Sequence, residues 1–159
     1  DGFRTLMARA ARVAPPTADD AVLVAPMAPA GVEVILGVLH DAVFGPVVMV
    51  GGGGVLAECF QDTALRVAPV DDAEARRMIG ETRVAMLLAG WRGAPPCDID
   101  ALAAALVALS RFAVDADGWL ESVDINPFRV LPRGEGGVAL DAVVIARSGP
   151  ADTAAGEPT

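Results

Sequence analysis

Asp124, Asn126 and Asp141 are the residues of this 159-residue chain whose types and spacing suit coordination chemistry. Asp124 and Asn126 stand two apart in Glu121-Ser122-Val123-Asp124-Ile125-Asn126-Pro127, and Asp141 returns fourteen residues past the proline, after a Gly-rich turn. On a strand, residues two apart share a face. With the turn centred near residue 134, Asn126 falls opposite about residue 142, within one position of Asp141. One bulge, which Pro127 invites, brings Asp141 onto the face of Asn126. Clustered oxygens with no neighbouring base suit a hard cation better than proton transfer, and Mg2+ bridging nucleotide phosphates needs only a few protein oxygens.

Other candidates are weaker. Glu33 is the only charge in the apolar run Val32 to Leu39, and is either an edge-strand carboxylate facing water or one aimed into a cleft. His40 is the only histidine and reads as a turn residue beside Asp41, with no nucleophile nearby. Gly51 to Gly54 is either a loop or bulge of the fold or a ligand-facing loop whose N–H groups approach an anion. It lacks the lysine of the P-loop pattern. All 12 basic residues are Arg, so phosphate held by lysine must be held from outside this chain.

The positioning elements follow from periodicity. Phe3, Leu6, Met7, Ala10 and Val13 recur at helical spacing, and Pro15-Pro16 ends that helix. Ala21 to Met27 and Val32 to Leu39 read as strands joined tightly by Ala28-Pro29-Ala30-Gly31, and a hairpin at His40 to Pro46 leads into Val47 to Val50. Val55 to Phe60 and Ala64 to Val70 read as a further strand pair. Asp71-Asp72 caps a helix from Ala73 to about Glu81, and Val84 to Ala89 forms a short second one. Asp98 is the expected N-cap of the clearest helix, with Ile99, Leu102, Ala103, Leu106, Leu109, Ser110 and Ala113 on one face. Trp119 to Leu131, a turn at Arg133 to Gly137, and Val138 to Ala146 form the last hairpin. Ser148 to Thr159 is small and polar and is expected to be a disordered tail.

Length gives one domain with a sizeable core, built from aliphatic residues because aromatics are only 4% of the chain. A net charge of −9 without a basic cluster argues against a nucleic-acid partner. No apolar run reaches the roughly 18 residues of a membrane span. Cys59 and Cys97 are isolated, which argues against zinc or a disulfide framework and fits a cytoplasmic setting.

Gly31-Val32-Glu33-Val34-Ile35-Leu36-Gly37, Asp41 with Phe44-Gly45-Pro46-Val47-Val48-Met49, Gly53-Gly54-Val55 with Glu58, Asp62, Arg66 and Pro69, Arg92-Gly93, Asp124-Ile125-Asn126-Pro127 and Asp141-Ala142 occur in this order. Together they resemble the C-terminal part of the ATP-grasp domain of NDP-forming acyl-CoA synthetases, relatives of succinyl-CoA synthetase. The resemblance runs from about Ala21 to Ile145. It implies a ligase converting acid, CoA and ATP to acyl-CoA, ADP and phosphate through a phosphohistidine. It also implies Asn126 and Asp141 as magnesium ligands and Asp124 as the acidic residue that steadies the phosphohistidine at the nucleotide. Glu33 would then lie near the ribose, and Ala25, Met27 and Ala28 at the hinge that receives adenine, where Pro26 has no N–H to donate.

The expected fold is therefore α+β, an antiparallel sheet with helices on one face, spanning residues 1–147 as one ATP-grasp subdomain. The expected cofactors are Mg2+ and ATP or ADP. The other ATP-grasp half, the CoA-binding domain and the phosphorylated histidine would be supplied in cis or in trans, oligomers included, so the fragment alone is expected to be inactive. A non-catalytic regulatory or assembly module, as in an acyltransferase fusion, is the alternative.

Overall fold

The structure, a computed structural model, describes residues 2–13, 17, 21–22, 24–53 and 62–147. A six-stranded antiparallel sheet runs in the order β3-β2-β1-β4-β5, with β6 also paired to β4. The strands are β1 (Val32–Asp41), β2 (Gly45–Gly52), β3 (Thr63–Val67), β4 (Leu120–Val130), β5 (Gly137–Ala139) and β6 (Ala142–Ala146). The helices are α1 (Gly2–Ala10), α2 (Asp72–Glu81), α3 (Val84–Leu88) and α4 (Ile99–Asp115). α1 forms as expected, but none of its residues is buried.

One face of the sheet carries the core. Strand alternation turns Val34, Leu36 and Val38 of β1 and Val48 and Val50 of β2 toward the helices, where all are at most 1% exposed. They meet Met78 of α2, Leu88 of α3, and Leu102 and Leu106 of α4, each fully buried. Each such side chain contributes about 1.5–3 kcal/mol through burial. The small residues Ala103, Ser110 and Ala113 let α4 lie close to its neighbours. Ser110 is fully buried, its hydroxyl donating to the Val107 carbonyl (2.8 Å) and accepting from the N–H of Val70 (3.1 Å).

The caps match expectation. Asp71 accepts from the N–H of Glu74 and Asp98 from that of Ala101. Asp98 does more than start α4. Its other carboxylate oxygen accepts from the N–H groups of Gly134 and Gly136, both at 2.9 Å, in the turn between β4 and β5. These backbone donors hold its carboxyl below the usual range.

Several expectations change. Residues 21–22 and 24–30 form no strand, because Pro26 and Pro29 offer no N–H to a ladder. The segment instead runs as an irregular connector into β1. Val55 to Phe60 lies outside the described residues, and β3 pairs with β2. Gly51 and Gly52 belong to β2, and the N–H of Gly53 donates to the Glu33 carbonyl (3.0 Å). A Cβ on Gly53 would stand 2.8–2.9 Å from the backbone of Glu33 and Val34, so close chain approach explains that glycine. Gly54 and Ser148 to Thr159 lie outside the described residues.

Candidate functional site

Among the described residues no helix packs across the other face of the sheet. Leu39, Leu65, Val143 and Ile145 are 46–54% exposed there, an apolar surface a folded domain does not leave bare without a partner or ligand. Through its middle runs a polar stripe on β4, Ser122, Asp124 and Asn126, with Asp124 and Asn126 exposed. Ser122, Asp124 and Asn126 line a shallow cleft of about 320 Å³ with Ile35, Gly37, Leu39 and Met49.

Asp141 joins this stripe by register. The pairs Ile125↔Ala142 and Phe128↔Ala139 bracket it, and the N–H of Asn126 donates to the Asp141 carbonyl at 3.1 Å. The β4–β6 register slips only between Leu120 and Ser122, and no residue is inserted between Ile125 and Phe128, so the bulge expected at Pro127 on this side is absent. It lies on the opposite edge, where Asn126 and Pro127 together face Ile35, as Val34↔Phe128 gives way to Leu36↔Ile125. The bulge bends β4 at the residue that carries the carboxamide.

Asp124, Asn126 and Asp141 are exposed, and among the described residues no side chain pairs with any of the three. Several acids elsewhere are engaged: Glu74 and Glu81 hold Arg66, and Asp72 and Asp100 hold Arg76. Among the described residues no group of three or more His, Cys, Asp or Glu forms a metal cage. The remaining donor set, two carboxylates and a carboxamide, fits a cation that keeps waters and takes phosphate oxygens, as Mg2+ does.

Glu33 departs from one of its two readings. β1 is a central strand between β2 and β4, so Glu33 is no edge residue. It faces Arg129 across the β1–β4 ladder, and Arg129 Nη2 lies 2.6 Å from Glu33 Oε1. Arg129 Nη1 donates to the Pro29 carbonyl at 3.1 Å and approaches that of Ala28 at 3.4 Å. Under this connector is a second cleft, about 610 Å³, lined by Ala25, Pro26, Met27, Ala28, Pro29, Arg129, Leu131, Val138, Ala139 and Leu140. Ala25, Met27 and Ala28 thus share one wall, and Leu140, beside Asp141, belongs to the other.

His40 stands apart. Its Nε2 lies 2.8 Å from Asp117 Oδ1, not against Asp41, whose carboxylate instead accepts from the N–H groups of Val43 and Phe44. Arg129 escaped the sequence reading, because its partnership with Glu33 depends on the β1–β4 register, which only the structure gives. Cys97 is buried, which pushes its thiol up and makes it a poor nucleophile.

Residues 1–146 match the ATP-grasp domain family. The chain is 40% identical over 124 residues to the beta subunit of acetate–CoA ligase [ADP-forming] II from Pyrococcus furiosus, covering 78% of this chain and 52% of the relative. It is 35% identical over 141 residues to 4-hydroxybutyrate–CoA ligase [ADP-forming] from Nitrosopumilus maritimus, covering 89% of this chain and 20% of that protein. Among solved structures, a dinucleotide forming acetyl-coenzyme A synthetase 1 of Ca. Korarchaeum cryptofilum, with coenzyme A, acetyl-coenzyme A and a phosphorylated phosphohistidine segment, aligns with a TM-score of 0.82 at 39% identity, over 91% of this chain and 63% of that one. The same enzyme with coenzyme A and Mg-AMPPCP aligns with a TM-score of 0.71 at 42% identity, over 76% of this chain and 55% of that one. The chain spans about half the length of the first beta subunit it matches. With its antiparallel sheet and helices on one face, the chain belongs to the ATP-grasp family and is similar to the domains of ADP-forming acid–CoA ligases.

Proposed function

We propose that this chain is the Mg-nucleotide-binding part of an ADP-forming acid–CoA ligase, with the other ATP-grasp half and the CoA-binding domain supplied from outside it. The observation that carries this is the unpaired oxygen set of Asn126 and Asp141, joined through Leu140 to a cleft closed by Ala25 to Pro29. Asn126 and Asp141 hold Mg2+, which supplies neutralisation of phosphate charge when bound. Ala25, Met27 and Ala28 receive the base, and Glu33 lies toward the ribose. Asp124 accepts a hydrogen bond from a histidine brought to the phosphate end, and holds that ring in place. Positioning and charge are most of what phosphoryl transfer asks of a protein.

This division of labour explains why a lysine-free chain can serve the reaction: its own contribution is oxygen ligands and backbone, and further cations come from the other half. The retained Asn126 and Asp141 favour this over a regulatory module, which has no need of them. Calorimetry of Mg-ADP binding to the full-length protein tests it, with Asn126→Ala and Asp141→Ala. Each substitution is expected to weaken binding and flatten its magnesium dependence. Unchanged affinity and magnesium dependence in both would overturn the ligand assignment.

A further inference from the structure

We infer that Arg129 is a positioning residue for the nucleoside end of the site, and that it sets the width of the cleft by clamping the connector to β1. The inference rests on the nucleotide reading above. One guanidinium joins three elements at the edge of the cleft. It grows from β4, pairs with Glu33 of β1 at 2.6 Å, and donates to the Pro29 carbonyl of the connector at 3.1 Å. The connector has no strand ladder of its own, so it is tied to the sheet by contacts such as these. A planar fork of donors is the side chain suited to such a junction, because its geometry fixes the relative placement of all its acceptors.

Two further observations support it. Arg129 and Glu33 are half-buried, 22% and 34% exposed at the side chain, so water screens their contact only partly. Arg129 Nε is buried and has no partner, a cost that a surface arginine free to turn would avoid. The side chain is therefore held in place by its terminal contacts. With Oε1 engaged by Arg129, Glu33 is restrained beside the cleft that Arg129 lines. The metal end depends on different residues, Asn126 in the bulge and Asp141 opposite it.

This separation gives the test. In the full-length protein, with whatever subunit copurifies, calorimetry compares Mg-ADP with Mg-pyrophosphate, which lacks a nucleoside. Arg129→Met keeps the apolar stem and removes the fork. It is expected to weaken Mg-ADP binding roughly tenfold to a hundredfold, the loss of one strong charge-assisted contact, while Mg-pyrophosphate stays within about twofold. Arg129→Lys, which can reach one partner but not both, should recover part of the loss. Combining Arg129→Met with Glu33→Gln should cost little more than Arg129→Met alone, because both break one unit. Equal weakening of both ligands, or unchanged Mg-ADP affinity in Arg129→Met, overturns the proposal and leaves the nucleotide reading standing. Failure of the unmodified protein to bind Mg-ADP overturns both.

Discussion

Replacing Ser110 by alanine removes one oxygen from the centre of the molecule, and its cost can be worked out. Ser110 is fully buried on α4, and its hydroxyl is the acceptor for the N–H of Val70 at 3.1 Å. Val70 is 7% exposed, so water does not readily replace that acceptor. An unsatisfied buried donor costs about 1–3 kcal/mol. Alanine is the better helix former, which returns up to about 0.5 kcal/mol. The net loss is about 0.5–2.5 kcal/mol, or about 2–8 °C in the melting temperature of a unit this size. Circular dichroism melts of Ser110→Ala against the unmodified protein measure it. Ser110→Cys, which keeps a weak acceptor, should fall between the two. A Ser110→Ala protein melting within about 1 °C of the original would refute the claim that this hydroxyl anchors the chain between β3 and α2.

Asp98 makes stability depend on acid. Its folded carboxyl titrates below its ordinary 3.8, so its contribution is complete above that value and is lost as pH falls through the lower folded one. Denaturation followed from pH 6 down to about pH 2 should show this loss, and Asp98→Asn should be destabilised at neutral pH with a shallower acid slope. The glycines Gly37 and Gly53 should separate function from folding. A Cβ on Gly37 meets the flexible end of Met49 at 3.0 Å, whereas on Gly53 it meets backbone at 2.8 Å. Gly37→Ala should melt near the original but bind Mg-ADP more weakly, because the methyl enters the floor of the cleft, while Gly53→Ala should melt lower. Paired melts and calorimetry check both.

What the sequence revealed was mostly local. The α4 face and its Asp98 cap, the β1 run, and the turn before β2 depend on neighbours a few residues away, and all three stand in the structure. The pairing of Asn126 with Asp141 was within one position, because a hairpin is nearly local too. Errors arose where distant partners decide. Ala21 to Met27 has strand-like composition, but with Pro26 in it and Pro29 just after, its described residues form no ladder. Glu33 looked like a possible edge residue because nothing local reveals that β4, about ninety residues later, pairs alongside β1. The bulge was assigned to the wrong edge of β4 for the same reason: Pro127 signals an irregularity but not which neighbouring strand absorbs it.

The double duty of Asp98 has a consequence for how the domain opens. Because one carboxylate starts α4 and also fastens the turn joining β4 to β5, neither end can fray alone without orphaning donors of the other. Excursions that would part Asn126 from Asp141 are coupled to unwinding the first turn of the longest helix. The hairpin therefore shares the opening free energy of the core and behaves as part of the same cooperative unit. The strands that carry Asn126 and Asp141 are thereby kept in register by the fold itself.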